Sequence, residues 1–211
     1  SQDWTITCDS PQSVPALQWP QDSIYKDGWA GVSSKEAADD FAAGITSSTI
    51  SSTGSLLGVL KAAKFNVGVG FLPGGPEAPS GVCPTGGAGL GIPSGISKEE
   101  QLAAATFLKF MTEPENTAAF SAATGYMPTR LSADMTAVLA ATPQIKTAMD
   151  QLTATRVQDN ARVFLPGADQ EMAKSAAKIL TQQGDVQTTM TELKKTLEGI
   201  YTKDVKPKLK A

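Results

Sequence analysis

Residues 73–86 are the stretch that most restricts how this chain can fold. They contain four prolines and four glycines. Because proline fixes φ and lacks an N–H, and glycine favours turns, this density predicts a loop without regular structure. Before the loop, strand-like runs alternate with helix-like runs, whereas after it the pattern becomes helical. We therefore predict an α/β chain with a candidate domain boundary in this loop.

Predicted elements follow from hydrophobic spacing, capping residues and turn residues. Runs of β-branched or small residues predict strands at 4–8, 45–50, 67–72 and 88–92. Helical spacing predicts helices at 12–26, 35–43, 52–63, 131–141, 143–152, 168–182 and 186–204, with 153–167 irregular. The last helix carries a stripe typical of a packed core face, formed by Val186, Met190, Leu193, Leu197 and Ile200.

Capping residues predict further helix boundaries. Ser97 with Glu100, and Thr112 with Glu115, have capping-box spacing, so one helix is expected after each serine or threonine, the second ending near Gly125. The first of these two helices carries an apolar stripe of Ala103, Phe107, Phe110 and Met111. In the helix at 12–26, Ser10 is the expected cap, and Pro15 and Pro20 predict a kink or break.

The chain contains no histidine, which excludes several classes of catalytic site. No Ser-His or Cys-His nucleophile, histidine base or histidine metal ligand can form. The adjacent pairs Asp39-Asp40 and Glu99-Glu100 do not face each other on a helix, so they do not mark a paired-carboxylate site. The run after Gly87 has Ile92 where a dinucleotide fingerprint needs glycine. Neither a cofactor nor a metal site is expected.

Charge and cysteine content restrict partners further. The chain has 211 residues, with 18 Lys and Arg against 21 Asp and Glu, so no basic excess favours nucleic acid. No run reaches the length that a membrane span needs. Cys8 and Cys83 are too few for a zinc tetrad, and they could form one disulfide or remain two buried thiols, the latter being the default.

Two local features could bind a polar ligand. Ser51–Ser55 places hydroxyls and a glycine where a helix is predicted to begin, and exposed N–H groups there are receptive to oxygen atoms. Gly86-Gly87 would allow close approach to the backbone. Taken alone, plain N-capping and a tight turn explain the two features more simply.

Five runs together carry a resemblance to a known family: Ser51–Leu56 (SSTGSL), Ala63–Gly70 (AKFNVGVG), Pro84–Leu90 (PTGGAGL), Phe107–Asn116 (FLKFMTEPEN) and Thr124–Pro128 (TGYMP). In order and spacing they resemble extracytoplasmic solute-binding proteins of ABC importers, in the branch that binds glycerol-3-phosphate or glycerophosphodiesters such as glycerophosphocholine. Actinobacterial members are the most similar.

The resemblance implies a periplasmic-binding-protein-like α/β fold of type II, with two lobes joined by hinge strands, of which this chain resembles the carboxy-terminal half. Residues 1–80 would belong to the second lobe. Residues 81–130 would form the hinge crossing and helices of the first lobe, and residues 131–211 would return to the second. A lipid-anchored, extracytoplasmic monomer is expected.

The resemblance also assigns ligand residues. The binding serine corresponds to Ser52, with Thr53 beside it, the glycine whose backbone meets the ligand corresponds to Gly87, and the cleft tyrosine corresponds to Tyr126. Where some members carry an arginine, this chain has Asp169, whose carboxylate would repel phosphate.

Arg162 could supply the missing cation, since its guanidinium matches phosphate oxygens, although an arginine that only braces a surface loop is an equal alternative.

The predicted function is therefore capture of a glycerophosphodiester, glycerol-3-phosphate or sugar-like polyol outside the membrane and its delivery to an ABC permease. A catalytic role is not expected. Two alternatives remain open at this point: a carboxylate-based glycoside hydrolase, and a helical interaction protein built on residues 98–204.

Overall fold

The computed structural model describes residues 4–33, 36–75, 81–87 and 89–209. Within them the chain forms two compact units. The first unit contains residues 4–33 and 158–209, and the second contains the described residues between 36 and 157. The proposed division into lobes at 1–80, 81–130 and 131–211 stays a prediction.

The first unit is helical. Its helices are α1 (Ser13–Tyr25), α8 (Asn160–Phe164), α9 (Ala168–Gln182) and α10 (Val186–Ile200), followed by a π-helical turn (Tyr201–Val205) and a 3-10 turn (Lys206–Lys208). Helices α9 and α10 pack together, and α1 packs on both. Their apolar faces enclose a core of Ile6, Leu165, Ala168, Ile179, Val186, Met190, Leu193 and Leu197. The predicted stripe of α10 is thus confirmed as a core face.

Helix α1 is continuous, so the predicted break is wrong, and the alternative of a kink stays a prediction. Pro15 lies in its first turn, where the N–H has no intrahelical partner to lose, and Pro20 is accommodated inside the helix. The helix begins later than expected, at Ser13, whose N–H donates to Ser10 Oγ at 3.2 Å. Gln21 fixes α1 in place, since its buried amide donates to the carbonyls of Ile179 (3.0 Å) and Gly184 (2.8 Å).

The second unit is also mainly helical. Its helices are α2 (Ala37–Ala42), a 3-10 turn (Thr53–Ser55) leading into α3 (Leu56–Ala62), α4 (Lys98–Met111), α5 (Pro114–Thr124), α6 (Thr136–Ala141) and α7 (Ile145–Gln151), with a second 3-10 turn (Leu152–Ala154). Its buried cluster is Met135, Val138 and Ile145. The two strands β1 (Cys83–Pro84) and β2 (Thr155–Arg156) form a short parallel sheet.

This sheet content is much smaller than the α/β prediction implied. Residues 4–8, 45–50, 67–72 and 89–92 form no strand, contrary to prediction, and residue 88 lies outside the described residues. The segment at 67–72 is held by side chains instead: Gln151 Oε1 accepts the N–H of Leu72 at 3.0 Å, and Gln144 Nε2 donates to the carbonyl of Val67 at 3.4 Å. Gln151 ends α7 and Gln144 directly precedes it, so these two bonds tie the segment to that helix.

Regular structure also appears where none was predicted. The strand β1 lies inside the loop at 73–86, and both β2 and α8 lie inside the supposedly irregular segment at 153–167. Each of these elements is only two to five residues long. Such short elements depend on tertiary pairing more than on local pattern, and the sequence carries little signal for them.

One of the two predicted capping boxes is present. Ser97 Oγ accepts the N–H of Glu100 at 3.2 Å, and the Glu100 carboxylate accepts the N–H of Ser97 at 2.9 Å, a bond that lowers the Glu100 pKa. The second box is wrong: Thr112 is the last-turn cap of α4, donating to the carbonyl of Leu108 at 2.9 Å, and α5 begins with Pro114.

We expect Ser97→Ala to lower the opening free energy of the first turn of α4 by about 1 kcal/mol, because the N–H of Glu100 loses its acceptor. Amide hydrogen exchange of residues 98–101 measures the change. Ser94→Ala is the control, since the Ser94 side chain makes no hydrogen bond among the described residues. Equal exchange in both variants would contradict the capping assignment.

The apolar stripe of α4 lies at the surface of its unit. No residue of α4 is buried, and Phe107 and Phe110 are 55% and 54% exposed. Among the described residues, no helix combines the length and apolar character required to cross a membrane.

Candidate functional site

The predicted binding serine lies at the start of a helix. Ser52 caps the 3-10 turn at Thr53–Ser55, and its Oγ accepts the N–H of Gly54 at 3.2 Å. Ser52 therefore acts as an N-cap, as the simpler interpretation of its run predicted. The Ser52 side chain is exposed and donates to no described residue, so its O–H remains available to a ligand.

The predicted tyrosine is carried by the turn after α5. Gly125 ends α5 in the left-handed conformation (φ 82°), and Thr124 Oγ1 accepts the N–H of Tyr126 at 3.2 Å. A Cβ at Gly125 would lie 3.3 Å from the carbonyl oxygen of Thr53 and 3.4 Å from the side chain of Leu56. The turn after α5 therefore packs directly on the turn that begins α3.

The Tyr126 ring lies against Gly54. A Cβ at Gly54 would be 2.5 Å from Tyr126 Oη and 2.6 Å from its Cζ. On the same ring, Phe120 stacks with a centroid distance of 6.3 Å and an angle of 10°. The Tyr126 side chain is 43% exposed, and its hydroxyl has no hydrogen-bond partner among the described residues.

These contacts bring three of the five predicted residues onto one surface: Ser52 and Thr53 from the start of α3, and Tyr126 from the end of α5. We call this surface the serine–tyrosine patch. It presents three hydroxyls and an aromatic face, which suit a polyol or an alkylammonium group. It carries no charged side chain of its own.

Gly87 follows the short sheet of the same unit. The sheet is extended by Thr85, whose N–H and Oγ1 both donate to the Arg156 carbonyl, at 2.7 and 3.0 Å. Gly87 is exposed, and a Cβ there would meet nothing within 4 Å. Its backbone is thus open to approach, but no hydrogen bond among the described residues joins it to Ser52 or Tyr126.

Arg162 and Asp169 lie in the other unit. Arg162 is exposed in the last turn of α8 and forms no ion pair among the described residues. Asp169 is exposed in the first turn of α9. A carboxylate in this position interacts favourably with the N-terminal end of the helix dipole, which gives a structural reason for an acidic residue there.

Cys8, in the first unit, and Cys83, in the second, are both free thiols, the state taken as the default from the sequence. Both are half-buried. The Cys8 Sγ donates to the carbonyl of Met190 at 3.6 Å, and burial raises the pKa of the Cys8 thiol. Among the described residues, no group of three or more Cys, Asp and Glu side chains could hold a metal ion.

An open groove of about 330 Å³ lies between α2 and α3. Its acidic rim, Glu36 and Asp39, opposes phosphate binding. Gly54 and Ser55 line one side, but Ser52, Thr53 and Tyr126 do not. The groove therefore adjoins the serine–tyrosine patch at Gly54 without including the patch residues.

Sequence reasoning missed the contribution of Gly54 and Phe120. Gly54 stands inside the quoted SSTGSL run, but its contact with Tyr126 joins residues far apart in the chain. Phe120 lies about one turn before the TGYMP run on α5, and no local signal pairs it with Tyr126. Both contacts arise from tertiary packing.

Comparison with known proteins agrees with this architecture. The family model for bacterial extracellular solute-binding proteins matches residues 1–147. The sn-glycerol-3-phosphate-binding periplasmic protein UgpB of Escherichia coli K12 is 33% identical over 139 residues, which cover 64% of this chain and 32% of that protein. UgpB of Shigella flexneri gives the same values.

A solved structure matches most of the chain. The crystal structure of UgpB from Mycobacterium tuberculosis in complex with glycerophosphocholine is 41% identical, with a TM-score of 0.88, and the match covers 96% of this chain and 52% of that one. This chain thus spans about a third of the curated relatives' length and about half of the crystallised chain.

Proposed function

This chain belongs to the family of bacterial extracellular solute-binding proteins, and we propose that it is part of a receptor that captures a glycerophosphodiester or glycerol-3-phosphate outside the membrane and delivers it to an ABC permease. The family predicted from the sequence is confirmed, and the relatives belong to the predicted glycerol-phosphate branch. These relatives are binding proteins, which supports a binding role rather than catalysis.

The observation that carries the proposal is the serine–tyrosine patch. Two segments that the resemblance assigns to the ligand, Ser52-Thr53 and Tyr126, meet on one surface through the contact with Gly54. Ser52 retains an O–H to donate, and Tyr126 offers both a hydroxyl and a ring face. Such groups can hold the glycerol hydroxyls and the choline methyl groups of glycerophosphocholine without making or breaking a bond.

Glycerophosphocholine fits the patch better than glycerol-3-phosphate does. The patch has no cation to balance a phosphate dianion, whereas a phosphodiester carries a single negative charge and a cationic choline that a tyrosine ring attracts. Gly87 would contribute its backbone N–H, and Arg162 a guanidinium for phosphate oxygens. The role of Gly87 is proposed from the resemblance, and that of Arg162 from the match between its guanidinium and phosphate oxygens.

The mechanism that we propose is closure of two lobes around the ligand. A ligand that contacts both lobes stabilises the closed state relative to the open one, and the permease would recognise that closed state. Because this chain covers about half of its crystallised relative, it offers only part of those contacts. An extracytoplasmic location is proposed from the periplasmic relatives, and lipid anchoring and a monomeric state stay predictions.

Isothermal titration calorimetry with glycerophosphocholine, glycerol-3-phosphate and glycerol tests the proposal. We expect saturable binding of glycerophosphocholine and no measurable binding of glycerol. We also expect this chain to bind at least about tenfold more weakly than a two-lobe relative, since contacts from the other lobe are missing. Equal affinities would contradict the closure mechanism, and the absence of any phosphodiester binding would contradict the proposed function.

An assay for hydrolysis distinguishes the proposed binding role from the main alternative, a carboxylate-based glycoside hydrolase. A binding protein leaves glycerophosphocholine and aryl glycosides unchanged after prolonged incubation. Turnover of an aryl glycoside that is abolished by a carboxylate substitution would favour the hydrolase instead.

A further inference from the structure

We propose that Gly54 is a positioning residue for Tyr126: the absence of a side chain at position 54 lets the Tyr126 ring lie against the turn that begins α3. The inference rests on the proposed function for its effect on ligand affinity. The ring position itself is a property of the second unit and can be tested without a ligand.

The contact leaves no room for any other residue. A Cβ at Gly54 would lie 2.5 Å from Tyr126 Oη, 2.6 Å from Cζ and 3.2 Å from Cε2. Non-bonded carbon atoms are at their best separation at about 3.5–4.0 Å, so even an alanine methyl group would have to displace the ring. The Gly54 backbone is not in the left-handed region. Alanine is therefore compatible with the backbone, and its effect falls on Tyr126.

The ring would move more easily than the backbone. The Tyr126 side chain is 43% exposed, and the atoms nearest to Gly54 are at its far end. No hydrogen bond to a described residue holds its hydroxyl. A side chain at position 54 would therefore turn the ring away from the turn and from its stack on Phe120. We expect ligand affinity to fall while folding stability is largely retained.

Gly58 provides a matched control in α3, the helix that follows directly from the turn that holds Gly54. It lies one turn after Gly54, and a Cβ there would meet nothing within 4 Å. Alanine at position 58 adds the same methyl group and raises helix propensity without touching Tyr126. An effect that both substitutions share is therefore a backbone effect. Only a difference between the two variants reports a change in the position of the Tyr126 ring.

The experiment compares Gly54→Ala and Gly58→Ala by NMR. We expect the ring resonances of Tyr126 and Phe120 to shift in Gly54→Ala and to stay in place in Gly58→Ala. In titrations with glycerophosphocholine, Gly54→Ala should raise Kd about tenfold, the scale of losing one hydrogen bond and a ring contact.

A double variant tests whether Gly54 acts through the ring. In a Tyr126→Ala background, Gly54→Ala should have no further effect on Kd, because the group that it displaces is gone. Unchanged ring resonances in Gly54→Ala, or an additional loss of affinity in the double variant, would overturn the inference. If the parent chain binds no glycerophosphocholine, the proposed function fails, and the ring resonances alone decide the role of Gly54.

Discussion

Replacing Leu197 with alanine should lower the free energy of unfolding of the first unit by about 2–5 kcal/mol. Leu197 is 1% exposed and packs in the core of the first unit, which also contains Leu165 and, from α9, Ile179. The cost combines the lost transfer free energy of the side chain with that of the remaining cavity, since neighbours that are fixed on two helices relax only partly.

Tryptophan fluorescence during urea unfolding measures this change selectively. The chain has three tryptophans, Trp4, Trp19 and Trp29, and all of them lie in the first unit. Trp4 stacks on Tyr201, with a centroid distance of 5.1 Å, one turn beyond Leu197. The control is Lys195→Ala on the exposed side of α10, which should stay within about 0.5 kcal/mol of the parent. A loss below about 1 kcal/mol for Leu197→Ala would contradict the core assignment.

The helices of the first unit were the most predictable part of the fold. Helix α9 matches its predicted range, and α10 carries the predicted stripe, because amphipathic spacing sustained over four turns is a strong local signal. The Ser97 capping box was equally predictable from the sequence, since all its groups lie within four residues. Thr112 does not cap the N-terminus of α5, because Pro114 is the first residue of that helix and Glu113 takes the N-cap position.

Strands were the least predictable part. The run at 67–72 has strand-like composition, yet the N–H of Leu72 donates to Gln151 and the carbonyl of Val67 accepts from Gln144, two side chains far along the chain. A strand is stabilised by its neighbours, so composition alone cannot report whether a partner exists. Conversely, β1 forms at Cys83–Pro84 inside a proline-rich loop because β2 pairs with it.

The candidate site was also predictable only in part from the sequence. The residue types came from the resemblance, and the Ser52 cap and the Gly125 turn were visible in local sequence. The contact between Gly54 and Tyr126 was not, because it depends on how α5 packs on α3. The presence of a hydroxyl can thus be predicted from the chain, whereas its neighbours require the structure.

Tyr126→Ala should raise the Kd for glycerophosphocholine about tenfold or more, with little change in stability. The substitution removes a hydroxyl that can donate to the ligand, worth about 0.5–1.5 kcal/mol, and a ring face that attracts a quaternary ammonium, worth about 0.5–2 kcal/mol. Stability should be nearly retained because Tyr126 is 43% exposed and its hydroxyl binds no described residue.

Two further measurements assign that loss to the hydroxyl or to the ring. Tyr126→Phe removes only the hydroxyl, so it should weaken glycerol-3-phosphate and glycerophosphocholine by a similar factor, smaller than the loss of glycerophosphocholine affinity in Tyr126→Ala. Phe120→Leu, which leaves Tyr126 intact and removes only the stacking partner, should have a weaker effect than Tyr126→Ala. If Tyr126→Ala binds glycerophosphocholine as tightly as the parent, the ligand does not contact the serine–tyrosine patch, and Ser52 then acts only as a helix cap.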